Sequence, residues 1–177
     1  RTIATLSATA NPENQCGFEP LLPGFLRVPY NDIEAVRRAA AQSPDIVAVL
    51  IEPVQGEGGI RAASTEYLRE LRALCDRHDW LLMLDEIQAG LGRTAAWFGH
   101  QHAGIAPDVV TLAKALGNGI PIGACLARGA AADLFSPGQH GSTFGGNPLA
   151  CRVACSVLDI MARDELPARA AVLGARL

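Results

Sequence analysis

Four stretches of this chain carry short, nearly unbroken apolar runs, and the segments between them switch to helical spacing. Asp45–Ile51, Trp80–Leu84 and Val109–Leu112 have the length and aliphatic content of strands buried in a parallel sheet. Ile122–Ala127 is shorter, rich in small residues, and able to pair antiparallel. From Asn31 to Gln42, Ile33, Val36 and Ala40 recur as one face of an amphipathic helix, with Asp32 near its start. Ser64 is placed to cap a helix in which Tyr67/Leu68, Leu71 and Leu74/Cys75 repeat at three- and four-residue intervals. A further helix is predicted from Asn147-Pro148 to about Ala162, with proline in its first turn. The opening Arg1–Asn31 holds Pro12, Pro20, Pro23 and Pro29 and reads as an excursion over the surface. Strands alternating with helices predict a doubly wound α/β fold, a mostly parallel sheet with helices on both faces.

Composition narrows the function without naming it. At 177 residues, 49% hydrophobic and 19% charged, the chain has ample material for one buried core. A net charge of −3 and the lack of Lys/Arg runs argue against nucleic acid as a partner. The aliphatic run Ile46–Ile51 is too short to cross a bilayer, and no signal peptide opens the chain, so no membrane role is expected. Cys16, Cys75, Cys125, Cys151 and Cys155 form no C-x-x-C pair, which fits reduced thiols in a cytoplasmic protein. His100 and His102 lack a third ligand at a useful spacing, so they read as a solvated pair and no metal site is expected. The chain begins on Arg1, and its methionines are Met83 and Met161, so it is expected to be part of a longer protein.

The candidate chemistry lies where two of the apolar runs end. The second run closes on Asp85-Glu86-Ile87-Gln88, and the third is followed by Lys114 and the glycine-broken stretch Leu116-Gly117-Asn118-Gly119. Ligands of open α/β sheets bind beyond the carboxyl ends of the strands, so a carboxylate and an amine converge there. The pair suits an aldehyde cofactor carried on lysine, with a carboxylate to keep its ring nitrogen protonated. Lys114 is the sole lysine among many arginines, and arginine cannot condense with an aldehyde. Asp85 has two rival readings, a helix cap or the metal-holding carboxylate of a P-loop nucleotidase. The second needs an upstream G-x-x-x-x-G-K-[ST], which these residues lack. Ser142 and Thr143 stand in a glycine-flanked turn before a helix start, where N–H groups and a hydroxyl can bind phosphate.

Four ordered segments then carry a resemblance. Glu52-Pro53-Val54-Gln55-Gly56-Glu57-Gly58-Gly59, Leu84-Asp85-Glu86-Ile87-Gln88, Thr111-Leu112-Ala113-Lys114-Ala115-Leu116-Gly117 and His140-Gly141-Ser142-Thr143-Phe144-Gly145-Gly146-Asn147-Pro148 resemble the class III aminotransferases, which use pyridoxal 5'-phosphate. The likeness is strongest to the acetylornithine branch and extends to Gly17-Phe18-Glu19-Pro20 and Val28-Pro29-Tyr30. It implies the fold type I transferase fold, with residues 1–177 as the central part of the cofactor-binding large domain, the N-terminal segment and C-terminal small domain being absent. It also implies cofactor contacts from Asp85, Glu86, Ile87, Gln88, Lys114 and Thr143. Gln88 would meet the phenolic oxygen, and Thr143 the phosphate in a neighbouring subunit. Ser142 would lie near the substrate. Arg1 matches the arginine that binds the donor's α-carboxylate. Glu57 matches a residue that pairs with a C-terminal arginine until a keto acid needs that arginine. Ala89 and Ala95 replace the threonine and glycine usual in the family.

The resulting expectation is transfer of the terminal amine of N2-acetylornithine to 2-oxoglutarate, a step of arginine biosynthesis, in a homodimer with shared sites. The competing expectations are another class III transaminase (succinylornithine, ornithine or 4-aminobutyrate), or a non-catalytic fragment or interaction module. Taken alone, the segment is expected to bind the cofactor weakly and to catalyse nothing, since phosphate and ring contacts of about 1–3 kcal/mol each would be missing.

Overall fold

The computed structural model describes residues 2–176, which divide into two compact units, the first ending at Pro44 and the second beginning at Asp45. The first unit holds helices α1 (Ile3–Ala8), α2 (Pro12–Gln15) and α3 (Ile33–Gln42). Its proline-rich opening is more ordered than the predicted surface excursion. Ser7 is the reason: its buried hydroxyl donates to the Ile3 carbonyl at 2.8 Å and accepts from the Leu22 N–H at 2.9 Å. The Gln15 amide donates to the Leu6 and Thr9 carbonyls, and the Arg27 guanidinium to those of Ser7 and Thr9. Side chains thus satisfy backbone groups that the prolines leave without a ladder. α3 begins as predicted, with the Asp32 carboxylate accepting from the Ala35 N–H at 2.9 Å.

The second unit contains β1 (Ala48–Ile51), β2 (Val54–Gln55), β3 (Arg61–Ala62), α4 (Thr65–His78), β4 (Leu81–Asp85), β5 (Val109–Leu112), β6 (Ala124–Ala127), α5 (Pro148–Arg163) and α6 (Leu166–Gly174). Its main sheet runs β1-β4-β5-β6, the first three strands parallel and β6 antiparallel, while β2 and β3 form a separate hairpin. α4 connects β1 to β4. Ser64 caps it by accepting from the Tyr67 N–H at 3.1 Å, and the chain leaves through Asp79 in the left-handed region. Tyr67, Leu68, Leu71, Leu74 and Cys75 form its buried stripe, as the spacing predicts. Pro148 sits in the first turn of α5, and Asn147 caps it through the Ala150 N–H at 2.9 Å.

Side chains alternate along β4, with Leu82 and Leu84 fully buried and Leu81, Met83 and Asp85 partly exposed. At the far side of the sheet Val110 and Leu112 pack with Leu91, Leu116, Ala154 and Met161. Asp108 ties three elements together: one carboxylate oxygen accepts from Arg72 of α4 at 2.6 Å and from the Leu82 N–H at 2.8 Å. Burial pushes that carboxyl up, yet the Arg72 and Leu82 hydrogen bonds and the charges of Arg72 and Arg128 win, leaving it below its usual value. α6 and the β2–β3 hairpin were not predicted. Glu165 at φ 48° breaks the helical path between α5 and α6, so no single amphipathic period spans them. The hairpin strands are two residues each, too short for a period to register. Among the described residues no helix is long and apolar enough to cross a membrane.

Candidate active site

Parallel pairing brings the ends of β4 and β5 side by side. Asp85 stands opposite Thr111, and the Glu86 N–H prolongs the ladder to the Thr111 carbonyl at 3.0 Å. Lys114 follows, held at φ 43° in a single 3-10 turn, Lys114–Leu116. A non-glycine residue in that region is uncommon and strained, and such strain concentrates at functional sites. The exposed amine donates to the Gln88 amide oxygen at 2.5 Å. Beside it opens a depression of about 280 Å³ lined by Lys114, Gly119, Ile120, Pro121 and Ile122. Lys114, Gln88 and Asp85 therefore gather at one end of the sheet, where the sequence places them.

The turn after β4 gives each residue a different task. Asp85 Oδ1 accepts from the Ile87 N–H at 3.0 Å, while its second oxygen makes no hydrogen bond among the described residues. Asp85 caps this turn and no helix, because residues 86–98 contain none. Gln88 likewise is not a helix-start residue. Ile87 is half-buried and contributes through its N–H. Gly90 is required by space: its N–H donates to the Glu86 carbonyl at 2.8 Å, and an added Cβ would sit 2.8 Å from that same oxygen.

Glu86 departs from the expected cofactor contact. It is only 1% exposed, and its oxygens accept from the Gly99 N–H at 2.8 Å, the His100 N–H at 2.9 Å and the His100 ring at 2.8 Å. With both oxygens engaged inside the fold, its side chain is a brace. His100 correspondingly is no solvated partner of His102. Its ring stacks on Phe98 at 5.4 Å, whereas His102 meets the Thr94 carbonyl at 2.7 Å. Nothing in the spacing of these histidines marks that difference; the two-residue alternation of β4, which sets Glu86 on the buried face of Leu82 and Leu84, was the available signal. No group of three or more metal-ligating side chains gathers among the described residues.

The β2–β3 hairpin closes on the same turn. Glu52 accepts from the Gly56 N–H at 3.0 Å, and a Cβ on Gly56 would lie 3.0 Å from Gln88 Cγ, so a larger residue there would press on the Gln88 side chain. Glu57 follows, exposed, at the tip. Ser142 and Thr143 are exposed, and no hydrogen bond joins them to Lys114, Asp85 or Gln88 among the described residues. The Ser142 carbonyl accepts from the Gly145 N–H at 3.2 Å, forming a turn that leaves Phe144 82% exposed. Arg1, expected to bind a substrate carboxylate, lies outside the described residues.

Known proteins match this arrangement over its whole length. The profile of the family described as Aminotransferase class-III matches residues 1–177. The acetylornithine aminotransferase of Nitrosomonas europaea is 58% identical over 174 residues, 98% of this chain and 44% of that protein. A crystal structure of the acetylornithine aminotransferase of Elizabethkingia anophelis superposes with a TM-score of 0.82 at 43% identity, covering 87% of this chain and 41% of that one. The ornithine aminotransferase of Toxoplasma gondii, in a structure described as having partial occupancy of PLP at its active site, gives a TM-score of 0.93 at 40% identity, covering 99% and 41%. The chain spans less than half the length of these relatives.

Proposed function

This chain belongs to the class III aminotransferases, and from that membership we propose that it forms the cofactor-binding core of a pyridoxal 5'-phosphate-dependent transaminase. The residues fit the cofactor: one exposed amine, one carboxylate with an oxygen to spare and one amide converge at the ends of β4 and β5. Lys114 would hold the aldehyde carbon, Asp85 the ring nitrogen and Gln88 the phenolic oxygen, with the backbone of Glu86 and Ile87 shaping the turn. Thr143, exposed and without a partner in the site, would reach the phosphate in a second subunit of a homodimer. When bound, the cofactor supplies an electron sink for the pair left when the substrate carbon loses its proton.

The protein's own groups do the rest. Once the incoming amine has displaced it from the aldehyde carbon, Lys114 Nζ would be free to take that proton and to deliver it to the cofactor carbon on the other side of the nitrogen. Asp85 keeps the ring nitrogen charged. An ion pair at ~4 Å and an effective dielectric near 20 is worth about 4 kcal/mol, roughly 3 pKa units before desolvation is subtracted. A neutral hydrogen-bond partner, at about 1 kcal/mol, could not do this. Glu57 and Ser142 would line the substrate side, Glu57 releasing an arginine for the keto acid, and the role of binding the donor's α-carboxylate falls to Arg1 by its match to the family's motif.

The donor we assign is N2-acetylornithine and the acceptor 2-oxoglutarate, a cytoplasmic step toward arginine. The support is identity: eight acetylornithine aminotransferases are 50–58% identical to this chain over nearly all of its length. The observation that carries the chemistry is the single lysine, bonded to Gln88 beside Asp85. Borohydride reduction of the full-length protein with pyridoxal phosphate, followed by peptide mapping, is expected to place the pyridoxyl group on Lys114. Labelling elsewhere refutes the site. A panel of acetylornithine, succinylornithine, ornithine and 4-aminobutyrate then tests the donor, with acetylornithine expected to give the highest kcat/KM.

A further inference from the structure

Three side-chain polar atoms are enclosed without a hydrogen-bond partner among the described residues: Arg72 Nε, Thr94 Oγ1 and Thr111 Oγ1. Arg72 spends its other nitrogens on Asp76 and Asp108, and Thr94 belongs to the loop before Phe98. Thr111 is different, because it faces the candidate site. It is the ladder partner of Asp85 on one side and of Cys125 on the other, and paired residues of a sheet project from the same face. A β-branched residue suits a strand, but valine would serve as well without enclosing an unsatisfied hydroxyl. An orphaned buried polar group asks for a partner. Its ladder partner Asp85 is the candidate, since Oδ1 of Asp85 holds the Ile87 N–H and its other oxygen is unengaged among the described residues.

We propose that Thr111 is a positioning residue of the cofactor site: its hydroxyl, turning about χ1, donates to the unengaged oxygen of Asp85 and fixes the orientation of that carboxylate toward the cofactor's ring nitrogen. The inference rests on the proposed function, which assigns Asp85 to that nitrogen. With Ile87 on one oxygen and Thr111 on the other, the carboxylate is held against rotation. Thr111 touches Asp85 and not the reacting atoms, so its effect reads out through Asp85 alone.

The full-length protein tests this as Thr111→Val and Thr111→Ser. The cofactor-free Thr111→Val protein is expected to fold and to melt cooperatively within a few degrees of wild type, because the substitution is nearly isosteric and removes a single hydrogen bond. Its affinity for pyridoxal phosphate should fall about tenfold, the loss of one hydrogen bond to a charged group. Pyridoxal without the phosphate should weaken by the same factor, and Thr111→Ser should restore both. In an Asp85→Asn background, Thr111→Val should change nothing further, since the shared partner is gone. Equal cofactor affinity in wild type and Thr111→Val overturns the proposal. So does a loss seen with pyridoxal phosphate but not pyridoxal, which would make Thr111 a phosphate contact, or a full loss persisting beside Asp85→Asn. A wild-type protein that binds neither ligand overturns the proposed function itself.

Discussion

Glu86→Gln is the most demanding test of how the site is held. The carboxylate is 1% exposed, with one oxygen facing the Gly99 N–H at 2.8 Å and the other facing the His100 N–H at 2.9 Å and its ring at 2.8 Å. Both backbone groups are donors, so they need two acceptors. A glutamine offers one acceptor oxygen and one NH2 group. Either orientation of the amide sets a donor against a buried N–H and removes a hydrogen bond to a charged group, worth ~1.5–3 kcal/mol. Taking about 2 kcal/mol, and roughly 2–4 °C per kcal/mol for a cooperative unit of this size, the melting temperature should fall by about 4–8 °C. The loosened turn carries Asp85, Ile87 and Gln88, so cofactor affinity should fall as well. Differential scanning calorimetry and absorbance titration with pyridoxal phosphate measure the two effects. A melting temperature within about a degree of wild type would mean that the buried carboxylate does not brace Gly99 and His100, and the argument fails.

Asp85→Asn leaves Lys114 in place, so the protein should still bind the cofactor. Without the charge, the half-reaction in stopped flow should slow by a factor on the order of a hundred or more; near-normal turnover would leave Asp85 only its cap to Ile87. Asp108 predicts an acid limb in stability. Its carboxyl lies below the usual value, so its contribution is complete above the unfolded pKa, about 3.9, and is lost as pH falls through the lower folded value. Melting curves between neutral pH and about pH 3 should therefore decline less steeply for Asp108→Asn than for wild type; parallel declines would contradict this. Burial raises the Cys75 thiol to about 11, against the opposing charge of Arg72, so at about pH 8 a thiol reagent should label exposed Cys16, Cys125 and Cys155 on native protein and spare Cys75 until it unfolds. Labelling of all four at one rate would refute the burial.

What the sequence disclosed and what it hid follow from the range of each interaction. Strands β1, β4, β5 and β6 and helices α3, α4 and α5 were legible because apolar runs and caps such as Asp32, Ser64 and Asn147 are local signals. The placement of Lys114 near Asp85 was legible through a topological rule, since parallel strands end together. Hidden features depended on partners distant along the chain. Ser7 organises the opening segment through Leu22 and Arg27, and a proline count cannot report that. Glu86 looked like part of a cofactor motif because motifs record identity and not direction; its burial is decided by Gly99 and His100, which a solvated reading of the histidines set aside. Thr111 read as one more strand residue, and its missing partner is visible only in three dimensions.

Direction is where the site is most vulnerable. Asp85 ends β4 and Glu86 follows it, so the two-residue alternation of the strand sends one carboxylate toward the open end and the other into the core. Their chemistry is nearly the same, and only register tells them apart. A slip of one residue in β4 would bury Asp85 and turn Glu86 outward, leaving Gly99 and His100 without acceptors and the ring nitrogen facing a different carboxylate. Register is therefore fixed independently at both ends of the strand. Asp108 accepts from the Leu82 N–H at its start, and the Thr111 carbonyl accepts from the Glu86 N–H at its end. Deleting one residue between Leu82 and Leu84 would leave no register that satisfies both. The expected outcome is a protein that fails to fold, and not one that folds with weakened cofactor binding. A soluble, cooperatively melting deletion variant would show that the strand's apolar faces, and not these two anchors, set its position.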